Sequence, residues 1–221
     1  SKQTVLDVES LEIKPGQAFG LVGNNGAGKT TLFSTLLDLI KPSTGQVLNN
    51  DINVRTSEDW KSFTSAFLDD SFLIGYLMPE EYFYFVGELR NFSKKQVDDF
   101  LTDFEDLFNN EILGGKKYIR DLSKGNQKKV GIVAALIGDP KVIVLDEPFA
   151  NLDPTTQIRL KKIIKNLSKK EDVTVLVSSH DLQDVTEVSD RIVLLEKGLI
   201  IKDIKKTTKT LKDLESYFTK E

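Results

Sequence analysis

Three features of this 221-residue chain predict an α/β fold built on a mainly parallel sheet. Short apolar runs alternate with stretches of helical periodicity in the first and final thirds, the pattern of strands joined by covering helices. One of those runs, AFGLVG, is continuously apolar, as a strand covered on both faces should be. A glycine-rich stretch follows it directly and opens a helix.

In chain order, TVLDVESLEI alternates like a half-buried strand, KPGQ is a turn, and AFGLVG is the buried strand. Beyond the glycine-rich loop, the leucines of KTTLFSTLLDLI recur at helical spacing, KPSTGQ breaks the chain, and VLNNDINV is short and strand-like. From about residue 65 to 137 helical pattern dominates, including PEEYFYFVGELRNF and KKQVDDFLTDFEDLF. The final third alternates again: strand KVIVLD, helix TTQIRLKKIIKNL, strand VTVLVSS, helix LQDVTEV, strand RIVLLE. No internal repeat or long linker interrupts this order. The expected organisation is one domain, with a core at about 1–64 and 138–221 and a helical subdomain at about 65–137.

Composition narrows the function classes. With 30 Lys+Arg against 34 Asp+Glu the net charge is −4, so a generally basic nucleic-acid footprint is absent and no nucleic-acid partner is expected. The locally basic runs KKIIKNLSKK and DIKKTTKTLK read as solvated helix faces. There is no cysteine, which excludes disulfides and thiolate metal sites and is compatible with a reducing cytosol. No signal peptide precedes the first strand-like segment, and the apolar runs FLIGYLM and VGIVAALIG fall far short of the ~20 residues of a membrane helix. Service at a membrane is therefore expected to go through another polypeptide.

The chemistry-bearing motif is GNNGAGKT: Gly23, Asn24, Asn25, Gly26, Ala27, Gly28, Lys29 and Thr30, followed by Thr31. It fits G-x-x-x-x-G-K-[ST] between a buried strand and a helix. Small residues let successive backbone N–H groups curl around a phosphate, and the helix start adds partial positive charge. Lys29 supplies a point charge for β/γ-phosphates, and the Thr30 hydroxyl can ligate Mg²⁺. No asparagine in the chain is followed by lysine, so a guanine-reading Asn-Lys-x-Asp is missing and adenine is the expected base. Further on, VIVLDEP ends a strand with Asp146 and Glu147, side chains that project into the crevice where an α/β sheet holds its ligand. Asp146 is placed to hold Mg²⁺ through water, and Glu147 to accept a proton from an attacking water. The chain's one histidine, His180, follows two serines at the end of VTVLVSS; by itself that position fits a core histidine better than a chemical one.

Taken together, GNNGAGKT, LSKGNQKKV (Leu122 to Val130), VIVLDEPFANLDP and VLVSSHDL resemble, in order and spacing, the phosphate loop, signature, Walker B strand with D-loop, and switch histidine of an ABC ATPase. The resemblance covers essentially the whole chain. It implies a phosphate-loop NTPase core with mainly parallel sheet, N-terminal antiparallel β strands and a helical insertion subdomain. It also implies ATP and Mg²⁺ as cofactors and a head-to-tail dimer enclosing two ATPs. Ser123 and Gly125 would open a helix that meets the γ-phosphate held by the second subunit, and Asp153 would cross the interface. His180 would hydrogen-bond the γ-phosphate and steady Glu147.

The chain departs from the family in three places. The signature reads LSKGN rather than LSGGQ, with Lys124 for a glycine and Asn126 for a glutamine. The family's glutamine between core and helical insertion has no counterpart in SAFLDDSFL, where Asp69 or Asp70 stands instead; Asp69 is the expected additional Mg²⁺ contact. No aromatic residue precedes Phe19, whereas the family stacks adenine on one just before the strand that here begins the chain; either a native N-terminal strand is missing, the favoured expectation, or adenine is held weakly.

By resemblance, the protein is the ATP-binding subunit of a membrane transporter, most similar to single-cassette export-type subunits, peripheral on the cytoplasmic face. The aromatic-rich FLDDSFLIGYLMPEEYFYF is expected to be mostly core and partly an exposed groove that receives a membrane permease. Two alternatives stand beside this: a soluble ABC ATPase acting on ribosomes or DNA, and the less active partner of a heterodimeric transporter.

Overall fold

In the computed structural model, which describes residues 4–218, the apolar runs become a six-stranded sheet. Its strands are β1 (Ala18–Val22), β4 (Thr64–Phe67), β5 (Val142–Leu145), β6 (Thr174–Ser179), β7 (Arg191–Glu196) and β8 (Leu199–Lys205), in the order β4-β5-β6-β1-β7-β8. The first five are mutually parallel, and β8 returns antiparallel on β7. All residues of β1 and β6 are buried, which is what a central strand covered by helices on both faces requires. The edge strand β8 alternates exposed and half-buried residues and carries Lys202 and Lys205, charges that discourage pairing with another chain.

The helices are α1 (Lys29–Leu36), α2 (Pro79–Leu89), α3 (Lys94–Thr102), α4 (Glu105–Phe108), α5 (Lys124–Leu136), α6 (Pro154–Leu167), α7 (Leu182–Val188) and α8 (Thr210–Phe218). Their starts follow local chemistry. Ser93 and Gln96 form a capping box on α3, Asp153 accepts from Thr156 N at 3.0 Å ahead of Pro154, and Asp181 accepts from Gln183 N at 2.7 Å. Within α2 to α5, Phe83, Phe104 and Phe108 are buried in one cluster that continues through Leu136 and Ile137 to Ile143 and Val175 of the sheet. Each such ring contributes about 1.5–3 kcal/mol relative to exposure.

Several expectations change here. The alternating TVLDVESLEI forms no strand among the described residues: Leu6, Leu11 and Ile13 lie on the second core cluster, but the only backbone-to-backbone hydrogen bond seen from this segment outside itself is Asp7 N to Gly198 O, 2.8 Å, beside a donation from the Arg191 side chain to Glu12 O. The side-chain pattern holds while the ladder partner is lacking. The N-terminal antiparallel strands thus reduce to a minimal hairpin, β2 (Leu48–Asn49) with β3 (Ile52–Asn53), turned by Asn50 and Asp51 at φ 51° and 62°. The sheet's own antiparallel pair lies at the other end of the chain. SAF, placed above at the head of the helical stretch, belongs instead to β4, which completes the sheet beside β5. Of the basic runs, Lys161 is not a solvated face: it is mostly buried and pairs with Asp184 at 2.8 Å and Glu187 at 3.3 Å, joining α6 to α7. DIKKTTKTLK is split between β8 and α8.

Candidate functional site

Parallel register places the site. Val22 lies opposite Ser179, Leu145 opposite Val177, and Phe67 opposite Leu145. The residues that leave these strands, Gly23, Asp146 and His180, therefore emerge along one edge, at the carboxyl ends of β1, β5 and β6. Segments more than a hundred residues apart in the chain meet there.

The loop from Gly23 to Gly28 turns into α1 through Gly28, whose φ of 107° only glycine adopts without strain. Gly28 is the N-cap residue and offers no side chain, and the first turn of α1 carries no acidic residue. The N–H groups at this helix start are thus left without a side-chain cap, the arrangement an anion fits. Asn24, Asn25 and Gly26 are exposed, while Ala27, Gly28 and Lys29 are buried. Lys29 folds back so that Nζ donates to Gly23 O at 2.7 Å and to Asn24 O at 3.4 Å, and lies 3.1 Å from Glu147 Oε1. Thr30 Oγ1 donates to Asp146 Oδ2 at 2.5 Å. Thr31 takes part through its carbonyl, which accepts from Thr35 Oγ1 within the helix.

Asp146 is buried and held on both oxygens, by Thr30 on one and by Ser178 Oγ on the other. Ser178 also accepts from Glu147 N at 2.9 Å. Glu147 has φ 47° and stands before Pro148, a combination costing on the order of 1–3 kcal/mol that persists only where the surroundings impose it. Its Oε2 is 2.8 Å from His180 Nδ1, and its Oε1 is buried without a well-aligned donor, met only by the Lys29 ion pair. A carboxylate oxygen left in that state is free to take a further proton donor. With Glu147 ionised, His180 Nδ1–H donates to it, so a donation from Nε2 to a phosphate requires the second ring proton.

The remaining predicted residues are engaged locally. Ser123 Oγ caps α5, accepting from Asn126 N at 3.3 Å, and Gly125 packs beside Asn151 O and Leu152. Asp153 is exposed and accepts from Thr156 N and from Thr156 Oγ1, bonds that hold its carboxyl below the ordinary carboxylate range. Asp69 caps a 3₁₀ turn, accepting from Ser71 N at 2.8 Å, with its carboxyl likewise lowered. It does not join the Thr30–Asp146 pair. Asp70 instead pairs with Lys124 at 2.5 Å, so the two departures from the family motifs, the aspartates and the signature lysine, meet each other. That contact raises the Lys124 ammonium above its usual range. Phe19, the first aromatic, is fully buried and has no face for a base.

Two residues of the site were not singled out from the sequence. Ser178 is one of the two serines before His180, and the signal was their polarity at the end of a buried strand. Lys128 has no such signal: its Nζ donates to Glu147 O and Ala150 O, both at 2.9 Å.

A separate groove of about 340 Å³ opens near Asp70, Tyr76, Arg120 and Lys124. Arg120 stacks against the rings of Tyr76 and Tyr118, at 4.6 and 5.4 Å, and Phe72 and Tyr76 are exposed beside it, while Phe67 and Phe83 of the same aromatic stretch are core.

As a fit for ATP and Mg²⁺, the site offers an uncapped glycine-rich helix start, a buried lysine and two hard oxygen donors, Thr30 and Asp146. Mg²⁺ typically takes only one or two protein oxygens and fills the rest with water and phosphate.

A sequence profile of the family described as ABC transporter matches residues 6–150, more than half of the chain. An uncharacterized ABC transporter ATP-binding protein of Synechocystis is 33% identical over 195 residues, covering 87% of this chain and 54% of that protein. The methionine import ATP-binding protein MetN of Carboxydothermus hydrogenoformans is 26% identical over 213 residues, covering 91% of this chain and 61% of its own length. The chain thus spans little more than half of each. A solved structure described as the ATP-binding subunit of an ABC transporter superposes with a TM-score of 0.82 at 26% identity, over 99% of this chain and 89% of that one. No helix among the described residues is long and apolar enough to cross a membrane.

Proposed function

Because the chain belongs to the ABC transporter family of ATP-binding proteins, we propose that it binds and hydrolyses ATP to power a membrane transporter, working as a head-to-tail dimer with a second ATPase subunit. The observation that carries this reading is the convergence of Lys29, Thr30, Asp146, Glu147 and His180 at the carboxyl ends of three adjacent parallel strands.

In this reading the N–H groups from Gly23 to Thr31 and the Lys29 ammonium bind the phosphates. Thr30 and Asp146 hold Mg²⁺, which when bound neutralises charge on the β- and γ-phosphates. Lys29 exchanges its internal contacts for phosphate oxygens, releasing Glu147 Oε1. Glu147 then accepts the proton of the attacking water, and His180 fixes the carboxylate through Nδ1. Ser123 and Gly125, at an exposed helix start, meet the partner's nucleotide, and Asp153 faces the same interface. Asp69, two residues past β4 and bonded to Ser71 N, would approach the metal only by leaving that turn.

The helical stretch after β4, about 68–137, acts as the subdomain that engages a membrane permease, through the groove lined by Tyr76 and Arg120. The protein then sits on the cytoplasmic face as a peripheral subunit. We favour an export-type system; import is the second reading, favoured by the relative named for methionine import.

The test is ATP hydrolysis by the wild-type chain, together with sedimentation of Glu147→Gln with and without Mg-ATP. Hydrolysis by the wild type and an ATP-dependent shift of the variant from monomer to dimer are expected. A wild type with no ATPase activity, alone or with its co-purified permease, overturns the enzymatic reading. A variant that binds ATP yet stays monomeric overturns the homodimer and leaves a different partner subunit.

A further inference from the structure

We propose that Lys128 is a positioning residue for Glu147, fixing the backbone from which the carboxylate reaches its water. The inference rests on the assignment of Glu147 as the general base.

Glu147 occupies a left-handed backbone conformation immediately before a proline, which the chain does not adopt unaided. Both of its backbone polar groups are held by side chains from other elements. The N–H donates to Ser178 Oγ on β6, and the carbonyl accepts from Lys128 Nζ on α5. The same ammonium donates to Ala150 O, three residues further on, and so reinforces the turn in which Ala150 N donates to Glu147 O at 3.3 Å. On the other side of this loop Gln157 Nε2 donates to Phe149 O at 3.1 Å and Leu152 O at 3.2 Å. Four carbonyls between residues 147 and 152 are therefore held by two side chains, one from α5 and one from α6.

Lys128 is costly to place there: burial holds its ammonium below the usual lysine range, against the attraction of the carboxylates of Glu147, Asp70, Asp69 and Asp146. An amide can also serve two carbonyls, as Gln157 does, but only from close by; the longer lysine stem carries several donors from α5 to both Glu147 O and Ala150 O. Because Lys128 shares α5 with the Ser123 cap, any shift of that helix start reaches the Glu147 backbone within the same subunit. Lys128 touches neither phosphate loop nor metal donors, so its removal should move the chemical step and spare nucleotide binding.

The experiment is steady-state ATPase kinetics and direct ATP binding on the full chain, wild type against Lys128→Met, with circular dichroism to establish folding. Displacing a reacting group by about 1 Å can cost ~10²-fold, so kcat is expected to fall by about 10-fold or more, with KM and ATP affinity within about twofold of wild type. A kcat within about twofold of wild type overturns the proposal, as does a loss shared equally by kcat and ATP affinity, the mark of a general structural role. Should Lys128→Met fail to fold, Lys128→Gln decides by the same criterion, since its shorter amide cannot span both carbonyls. Absence of hydrolysis in the wild type would instead remove the reading on which this one rests.

Discussion

Two buried serines provide a sharp test of how the site is held. Ser178 and Ser189 are 0% and 1% exposed, yet Ser178 Oγ bridges Asp146 and Glu147 N whereas Ser189 Oγ has no hydrogen-bond partner among the described residues. Replacing Ser178 with alanine deletes a hydrogen bond to a carboxylate, about 1.5–3 kcal/mol, and leaves the Glu147 N–H without its acceptor, about 1 kcal/mol more. The strained Glu147 backbone also loses one of its two side-chain anchors. The total is roughly 3 kcal/mol, which in a domain of this size lowers the thermal midpoint by about 6–12 °C. Replacing Ser189 with alanine removes a hydroxyl that gains nothing from burial, so the midpoint should hold or rise by up to a few degrees, a change worth about 1 kcal/mol. Thermal unfolding followed by circular dichroism at pH 7 without nucleotide reads both. A drop of under about 2 °C for Ser178→Ala would refute the reasoning, since even 1 kcal/mol moves the midpoint that far. Equal drops for the two variants would refute it too, by showing that the loss is one of packing and not of hydrogen bonds.

Further outcomes follow from particular contacts. Gly131→Ala would place a methyl 2.1 Å from Phe67 Cε2 where α5 crosses β4, so the urea midpoint should fall by an amount equivalent to about 1–3 kcal/mol; an unchanged midpoint would show that Phe67 has room to move. Asp69→Gln should shift the Mg²⁺ titration of ATPase activity, and an unchanged titration would remove Asp69 from the metal's surroundings. On the acid side, Asp69, Glu111, Asp153 and Asp172 are each held below their ordinary range by hydrogen bonds, so their stabilisation is complete above about pH 4–5 and is lost as pH falls through their lowered values. Glu111→Gln, which removes one of the four, should flatten the fall of the thermal midpoint below pH 4; an equally steep fall would exclude Glu111 as a contributor.

How far each part of the molecule could be read from the chain depended on where its determinants lie. The phosphate loop is written in consecutive residues, and its glycines, lysine and threonine act through local backbone geometry, so GNNGAGKT was legible without the fold. The buried strands β1, β5 and β6 were legible for a similar reason, since covering both faces demands unbroken apolar runs. TVLDVESLEI shows the limit of that logic: its alternation records which side faces the core but says nothing of a hydrogen-bonding partner, and without one no strand forms. The four residues of β4 were hidden because TSAF is too short to show a period and becomes a strand only by pairing with β5.

By itself, then, the sequence determined the α/β class and pointed to the phosphate loop and the two strand-end acids through local patterns, while the histidine was singled out only by the family resemblance. Only the tertiary structure decided that Thr30 meets Asp146 across 116 residues, and that Ser178 and Lys128 hold Glu147 in a left-handed turn. It alone joined Asp70 to Lys124. The physical reason is that these contacts depend on strand order and register, which set neighbours in space, and no spacing along the chain encodes which serine or lysine the packing will bring within 3 Å of the Glu147 backbone.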